Sequence, residues 1–287
     1  MKFFCLTPLL LLLLIASAVA QPITGHITDS RTHAALPYVN IGVLGKDLGT
    51  VADEQGRYTL AFQQALAAAT VRISSLGYAP RNLTLAELAA QPNVALTPEA
   101  VPLAEVEVRG KAQFRRTHTL GNPTQSGSSD CRFSAANLGW QVGTVIRLRH
   151  RPALLVDANF VIKYNTPAHA TFRVNLYRLN ANGLPTETKL LAHDLIVTRP
   201  LVMGPMTIDL RTENLVLDED FLLAVELLDR SGIGSPEEPY AFSSSLGYLN
   251  NGVYWRSTSQ ATWTKGSSIA LLAGVHLSPN FYVTVND

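Results

Sequence analysis

Two adjacent acids precede a glycine in the segment TVADEQGRYTL, residues 50–60. Asp53 and Glu54 could be metal ligands, a catalytic acid pair or part of a turn. A calcium loop needs oxygen ligands at several alternating positions, which this segment does not offer. An Asp that caps a turn and a Gly that supplies a positive φ are typical of a β-hairpin. We therefore interpret residues 53–56 as a turn between two strands.

The seven histidines form no recognisable zinc motif. A metallocarboxypeptidase site needs a His-x-x-Glu pair, and the third residue after each histidine is never Glu. The sequence also contains no HExxH helix motif, no Gly-x-Ser-x-Gly elbow and no Gly-rich phosphate loop. We therefore predict a protein that is not an enzyme, with no catalytic residues, no metal ligands and no cofactor.

Two features keep a hydrolase with an unrecognised site as an alternative. The acids at 218–220 and at 237–238 could act as the paired carboxylates of a glycosidase. Cys131 could be a nucleophile, but only beside a histidine in an electropositive setting, and the sequence shows neither. A small buried residue is the other interpretation of Cys131.

Aromatic residues are concentrated in one segment. Six of the 24 residues from 240 to 263 are aromatic, against 8% in the whole chain. Aromatic rings stack on sugars, so this segment predicts a ligand-binding surface for a glycan. The alternative is that the rings fill the core, in which case neighbours such as Tyr254 and Trp255 cannot both do so. The candidate binding residues are Tyr248, Tyr254, Trp255, Arg256 and Trp263.

The first 20 residues predict a signal peptide. Lys2 precedes an apolar run, and Ala18 to Ala20 give the small-residue pattern that signal peptidase accepts. We expect cleavage before Gln21 and export, with the protein periplasmic, associated with the outer membrane or secreted. The mature chain then has a net charge of about zero, one cysteine and no transmembrane segment, which disfavours nucleic-acid binding and excludes an intramolecular disulfide.

Alternating apolar residues predict an all-β protein with two modules. In the first half, the segments 23–29, 38–44, 57–62, 71–74 and 104–110 alternate with a period of two, and a short helix is expected at 85–90. Residues 110–132 are rich in Gly, Ser and Thr and predict a linker. From residue 133 onward, about ten strands predict a second, jelly-roll-like sandwich. The predicted strands there are 144–149, 153–164, 172–179, 190–198, 206–210, 221–228, 240–245, 253–257, 268–273 and 281–285.

The first module resembles the carboxypeptidase regulatory-like domain. The resemblance rests on Gly25 with Asp29, on Leu36 to Ile41, on Asp53 to Tyr58 and on Ser74 to Tyr78, and we place the domain at residues 21–109. It implies a transthyretin-like sandwich of about seven strands with an accessory role and no catalytic residues. The module at 133–287 is similar to the C-terminal part of exported bacterial proteins that carry the same domain in front, which implies export but no activity.

Three functions follow from these observations. The first is a non-catalytic envelope protein that binds a glycan or a protein partner. The second is an accessory component of a TonB-dependent outer-membrane uptake system, in which residues 101–111 offer an edge strand to a receptor. The third is the hydrolase described above. Solvent-facing Trp255 and Trp263 would favour the first, and a cleft with two acids and a histidine would favour the third.

Overall fold

The computed structural model describes residues 22–99, 114–124, 129–133, 138–164, 169–200, 202–229, 240–247, 253–266 and 276–287. The predicted signal peptide, the strands at 104–110 and 268–273, and Tyr248 lie outside the described residues. The edge strand proposed for residues 101–111 lies outside them as well. The described part of the chain forms two β-sandwiches with little helical structure, as the alternating pattern predicted.

The front sandwich packs a three-stranded sheet, β4-β1-β7, against a four-stranded sheet, β3-β2-β5-β6. Its apolar core contains Ile27, Val39, Ile41, Val71 and Ile73, each with no measurable exposure. The seven strands agree with the number predicted. They are β1 (Ile23–Asp29), β2 (Asn40–Val43), β3 (Gly49–Val51), β4 (Arg57–Leu60), β5 (Thr70–Ser74), β6 (Arg81–Thr84) and β7 (Val94–Leu96).

The acid pair before β4 lies in a turn, as predicted. The Asp53 carboxylate accepts hydrogen bonds from the backbone N–H groups of Gln55 and Arg57 at 2.9 and 2.8 Å. Gly56 has a φ of +75°, a conformation that costs glycine little because it has no Cβ. The carboxylate of Asp53 is therefore engaged in closing the turn.

The single described α-helix, α1 (Leu85–Ala90), occupies the predicted position. Thr84 and Glu87 form a reciprocal capping box, in which the Thr84 hydroxyl accepts from the Glu87 N–H and the Glu87 carboxylate accepts from the Thr84 N–H. Leu85 and Leu88 face the front core. The cap satisfies backbone donors at the helix start, and two buried leucines hold so short a helix in place.

The rear sandwich consists of a seven-stranded and an eight-stranded sheet, in which every described strand pair is antiparallel. Strands β12, β17, β10 and β19 are consecutive neighbours in the seven-stranded sheet. The strands are β8 (Thr117–Gly121), β9 (Ser129–Phe133), β10 (Gln141–Ile146), β11 (Ala153–Ile162), β12 (His169–Leu179), β13 (Pro185–Lys189), β14 (Leu195–Pro200), β15 (Gly204–Asp209), β16 (Val216–Leu217), β17 (Phe221–Asp229), β18 (Tyr240–Gly247), β19 (Val253–Arg256), β20 (Thr264–Lys265), β21 (His276–Pro279) and β22 (Phe281–Asn286).

The predicted linker at 110–132 needs correction, because part of it belongs to the rear sandwich. Strand β8 pairs with β22, and β9 pairs with β18. Strand β8 (THTLG) is rich in Thr and β9 (SDCRF) in polar and charged residues, so neither shows apolar alternation. Each is held by the backbone ladder of its neighbour, so pairing decides their structure more than side-chain burial does.

The predicted strand at 190–198 also begins later than expected. Residues 191–194 are irregular, and β14 starts at Leu195. The Asp194 side chain accounts for the break, because it turns toward Arg173 and Lys189 and forms ion pairs with both.

The core of the rear sandwich lies between its two sheets. Phe172, Val174 and Leu176 of β12 face this core, as do Leu223, Val225 and Leu227 of β17. These residues occupy alternate positions of the strands predicted at 172–179 and 221–228, as a period of two requires. Among the described residues, no helix has the length and apolar character needed to cross a membrane.

Candidate functional site

A row of four polar side chains crosses the outer face of the seven-stranded sheet. Arg173, Glu226, Gln141 and Arg256 are directly paired across β12, β17, β10 and β19. All four are at most 1% exposed. Charged side chains are rarely buried so completely unless they are paired, so the row marks a specialised surface. We call these four residues the polar row.

Arg173 joins the polar row to the front sandwich. Its Nη1 donates to the Glu226 carboxylate at 3.0 Å, and its Nη2 donates to the backbone carbonyl of Tyr38. The Asn40 amide fits between the two charges, with its oxygen accepting from Arg173 at 3.2 Å and its nitrogen donating to Glu226 at 2.8 Å. Tyr38 has a φ of +55°, a strained conformation that aims its carbonyl at the guanidinium.

Charge balance keeps Arg173 and Asp194 ionised. Burial disfavours the charged guanidinium of Arg173, but Glu226 and Asp194 outweigh this effect and raise its pKa. Burial likewise opposes ionisation of Asp194, whereas the charges of Lys189 and Arg173 lower its pKa overall. The pKa of Lys189 is lowered, chiefly by burial and then by the neighbouring Arg173 charge.

Arg256 ends the polar row and is held on several sides. Its Nη1 contacts both carboxylate oxygens of Glu187 at 2.8 Å, and its Nη2 donates to Gln141 Oε1 at 3.2 Å. The guanidinium also lies 4.3 Å from the ring centroid of Trp263 and 5.2 Å from that of Tyr177. Contact with two aromatic rings and a carboxylate fixes the side chain and its charge.

A cleft of about 300 Å³ opens beside the polar row, between the two sandwiches. The rear sandwich contributes Arg256, Glu187, Lys189 and Asp194. The front sandwich contributes Arg72, with Ser74, Ser75, Leu76 and Tyr78. Together the lining side chains include three cations and two acids, so the cleft has one excess positive charge. None of the described residues that line it is a histidine.

Arg72 is the source of that excess. Within the part of the chain that the structure describes, its guanidinium has no ion pair, and its Nε is buried without a hydrogen-bond acceptor. Two other lining residues, Arg256 and Ser259, also have a buried polar atom with no partner. Buried donors normally have acceptors, so the cleft suits a ligand that is rich in oxygen atoms.

The segment after β19 holds the two sandwiches together next to the cleft. Ser257 donates to Asp47 at 2.6 Å, the Gly45 N–H donates to the Gln260 carbonyl at 2.9 Å, and the Gln260 amide donates to Ser74 at 3.2 Å. A Cβ on Gly42 would lie 2.9 Å from Gln260 Cγ. The glycine therefore permits an approach that a larger residue would prevent.

The structure separates the candidate binding residues that the sequence suggested. Trp255 packs against the rear core, with its ring centroid 5.8 Å from that of Trp140. Tyr254 is 5% exposed and packs in a second apolar cluster on the outer face, with Trp263 against it. Arg256 alone of the described candidates lines the cleft. The two tryptophans are half-buried, so they do not form the solvent-facing platform that stacking on a sugar would need.

One prediction about these aromatics was wrong. We expected that at most one of Tyr254 and Trp255 could belong to a core. Each packs in a separate apolar cluster, because both faces of the seven-stranded sheet are covered. Neighbouring residues of β19 do face opposite ways, but neither of these two faces is left to solvent.

Comparison with known proteins identifies the front sandwich. Residues 23–108 match the family model of the CarboxypepD_reg-like domain. The front sandwich is a carboxypeptidase regulatory-like domain. This confirms the resemblance that the sequence motifs indicated for residues 21–109. No curated protein matches the chain.

Solved structures resemble the chain only weakly. The cysteine protease and lectin-like domains of Cwp84, a surface layer associated protein of Clostridium difficile, align with 8% identity and a TM-score of 0.42 over 83% of this chain and 46% of that chain. A structure of the infectious bursal disease virus Gx strain aligns with 10% identity and a TM-score of 0.28, over 92% of this chain and 62% of that chain. The chain thus spans about half the length of the Cwp84 structure. Likenesses this weak carry no argument about ligands or activity.

The sequence did not predict the cleft, although one predicted strand carries a hint of a buried charge. Strand β17, FLLAVELL, is apolar at nearly every position, which is typical of a strand buried on both faces. Glu226 is the one acid within residues 221–228, so it had to be buried and paired. No local pattern could have shown that its partners include Asn40 of the regulatory-like domain, which lies far away in the chain.

A larger hollow of about 1020 Å³ lies elsewhere at the regulatory-like domain. Its charged side chains already have partners: Asp53 binds Arg57, and Asp47 accepts from Ser257. The smaller cleft is the better candidate site, because its lining holds a cation, Arg72, that has no ion-pair partner among the described residues.

Proposed function

We propose that the protein is an exported, non-catalytic binding protein of the cell envelope, and that the cleft between its two sandwiches binds an acidic glycan. The regulatory-like domain supports an accessory role. The signal-peptide pattern of residues 1–20 supports export. The glycan follows from the chemistry of the cleft.

The unpaired guanidinium of Arg72 carries this proposal. A ligand carboxylate can satisfy it with charge-assisted hydrogen bonds, and the single excess positive charge of the cleft matches one anionic group. The sugar hydroxyls would find acceptors and donors in Glu187, Ser75 and Ser259, and the sugar ring would lie against Leu76, Leu191 and Pro80.

The fixed orientation of the other charged groups favours binding over chemistry. Arg256, Glu187, Lys189 and Asp194 are tied to one another or to Arg173, so they shape the wall of the cleft and do not need to move when a ligand arrives. Two acids line the cleft without a histidine among its described lining residues, so the feature that would have favoured a hydrolase is incomplete there. A uronic acid or another carboxylated sugar has the required size and charge.

A glycan array that includes neutral, uronic-acid and sialic-acid oligosaccharides tests the proposal with the mature protein, residues 21–287. We expect carboxylated glycans to bind and neutral ones not to bind. Replacement of Arg72 by Ala removes one charge-assisted contact worth about 1.5–3 kcal/mol, which corresponds to a loss of roughly 10- to 150-fold in affinity.

Arg81→Ala is the matched control, because it removes the same charge from the exposed strand β6 next to the strand that carries Arg72. We expect it to bind like the wild type. Failure of every acidic glycan to bind would contradict the proposal, as would equal losses in the two arginine variants.

A further inference from the structure

Two histidines and an aspartate meet in the rear sandwich, outside the cleft. His118, His150 and Asp287 each offer a ligand atom, and these atoms all lie within 4.8 Å of one another. The three residues are far apart in the chain, so no motif with short spacing could indicate them. Imidazole nitrogens with a carboxylate oxygen are the donor set of many zinc sites.

The fold fixes two of the three residues. His118 lies on β8, which pairs with β22, so that Thr117 is opposite Asn286. Beyond the ladder, the Asp287 N–H donates to the Arg116 carbonyl at 2.9 Å, and the Arg116 N–H donates to the Asp287 carbonyl at 3.0 Å. The Asp287 carboxylate is only 5% exposed, which leaves it little freedom to turn away from His118.

The distance between these two ligands suits a metal ion. His118 Nε2 lies 3.3 Å from Asp287 Oδ1. Tetrahedral zinc with bonds of about 2.0–2.1 Å places its ligand atoms roughly 3.3–3.4 Å apart. Although His118 Nε2 is buried, it makes no hydrogen bond of acceptable geometry. A simple hydrogen bond to Asp287 therefore explains this pair less well than a shared metal ion does.

His150 completes the set from the loop after β10. Its ring centroid is 5.9 Å from that of His118, and the side chain is exposed, so a small movement brings its nitrogen to bonding distance. Two of the three arginines in this loop, Arg147 and Arg151, pair with Asp220, which offsets part of their positive charge near the cluster.

We propose that His118, His150 and Asp287 form a Zn²⁺ site with three protein ligands and a fourth position open to water or to a partner's side chain. The site joins β8, the loop after β10 and the end of β22, so bound metal ties three distant segments of the rear sandwich together.

Titration calorimetry of the untagged mature protein with ZnCl₂, in competition with a chelator of known affinity, tests this proposal. We expect one Zn²⁺ per chain and a loss of at least tenfold in affinity for His150→Ala, whose exposed side chain is not needed for folding. Co²⁺ gives a second readout, because a tetrahedral site produces intense visible absorption that the variant should lose.

His193→Ala is the matched control. His193 is 64% exposed and lies 3.1 Å from Glu213, so it is a histidine next to an acid outside the cluster. We expect its Zn²⁺ affinity to equal that of the wild type. The proposal is overturned if His150→Ala binds Zn²⁺ as tightly as the wild type, or if both variants lose affinity equally, which would indicate adventitious binding by surface histidines.

Discussion

The two faces of the seven-stranded sheet are both buried, but by different chemistry. Phe172, Val174 and Leu176 face the apolar core on one side, whereas Arg173, Asn175 and Tyr177 alternate with them on the other side. The apolar face gains free energy from removal of surface from water. The polar row on the other side gains little in that way, and its buried charges demand specific partners. The first face therefore stabilises the sandwich, and the second determines where the regulatory-like domain docks.

Substitutions on the apolar face of the seven-stranded sheet should cause the largest loss of stability. Phe172→Ala deletes a fully buried ring that lies 6.1 Å from the ring of Phe242, and should lower the free energy of unfolding by about 3–5 kcal/mol. Urea denaturation followed by circular dichroism measures this free energy of unfolding. Phe172→Leu keeps most of the volume and should cost less than about 1.5 kcal/mol. Equal losses in the two variants would show that packing is not the cause.

On the polar face, Glu226→Ala should cost about 3 kcal/mol, because it leaves Arg173 as a buried charge with a weakened set of partners. The same denaturation experiment applies. Glu219→Ala removes an exposed ion pair with Arg178 and should cost less than about 1 kcal/mol.

If Glu226→Ala were as mild as Glu219→Ala, the contrast between the two faces would fail. The double variant Arg173→Met, Glu226→Leu sharpens the test. It should regain much of the stability while losing the bond to the Tyr38 carbonyl, and the domains should become more mobile relative to each other.

A third variant acts on domain docking alone. Gly42→Val places methyl groups against Gln260, and overpacking of this kind costs about 1–3 kcal/mol. We expect faster limited proteolysis between the domains, with little change within either core. Thr59→Val, on an exposed position of the other sheet of the regulatory-like domain, is the control. Unchanged proteolysis in Gly42→Val would show that this contact does not hold the domains together.

The smallest effect concerns pH. The pKa of Asp194 is lower in the folded state than in the unfolded state. The carboxylate therefore makes its full contribution to the free energy of unfolding above the unfolded pKa of about 3.9, and this contribution is lost as the pH falls through the folded pKa. Asp194→Asn should therefore cost on the order of 1 kcal/mol at pH 7. The difference from the wild type should shrink below about pH 4. A difference that is constant from pH 7 to pH 3 would contradict this assignment.

The sequence was sufficient to predict the elements that have a local signal. The inward sets of β12 and β17, the turn at Asp53 and the helix Leu85–Ala90 all follow from periodicity and from capping or turn residues. The motifs of the regulatory-like domain were equally readable. Strands β8 and β9 were not, because backbone pairing with remote strands holds them in place.

The candidate sites required information that no local pattern contains. Periodicity predicted that Arg173 and Glu226 face away from the core, but a second domain, not water, covers that face. The cleft depends on Arg72 of one domain and Arg256 of the other. The sequence could show on which face of the strand Tyr254 lies. It could not show what packs over that face, because tertiary contacts decide that.

The position of β22 has a consequence for how the protein folds. This strand, residues Phe281–Asn286, pairs with β11 on one side and with β8 on the other. The eight-stranded sheet cannot close until residue 286 has been synthesised, so a nascent chain holds β8 and β11 unpaired along these edges until β22 is available. Contacts between segments this distant form slowly, and the long delay keeps the rear module open while the compact regulatory-like domain can already fold.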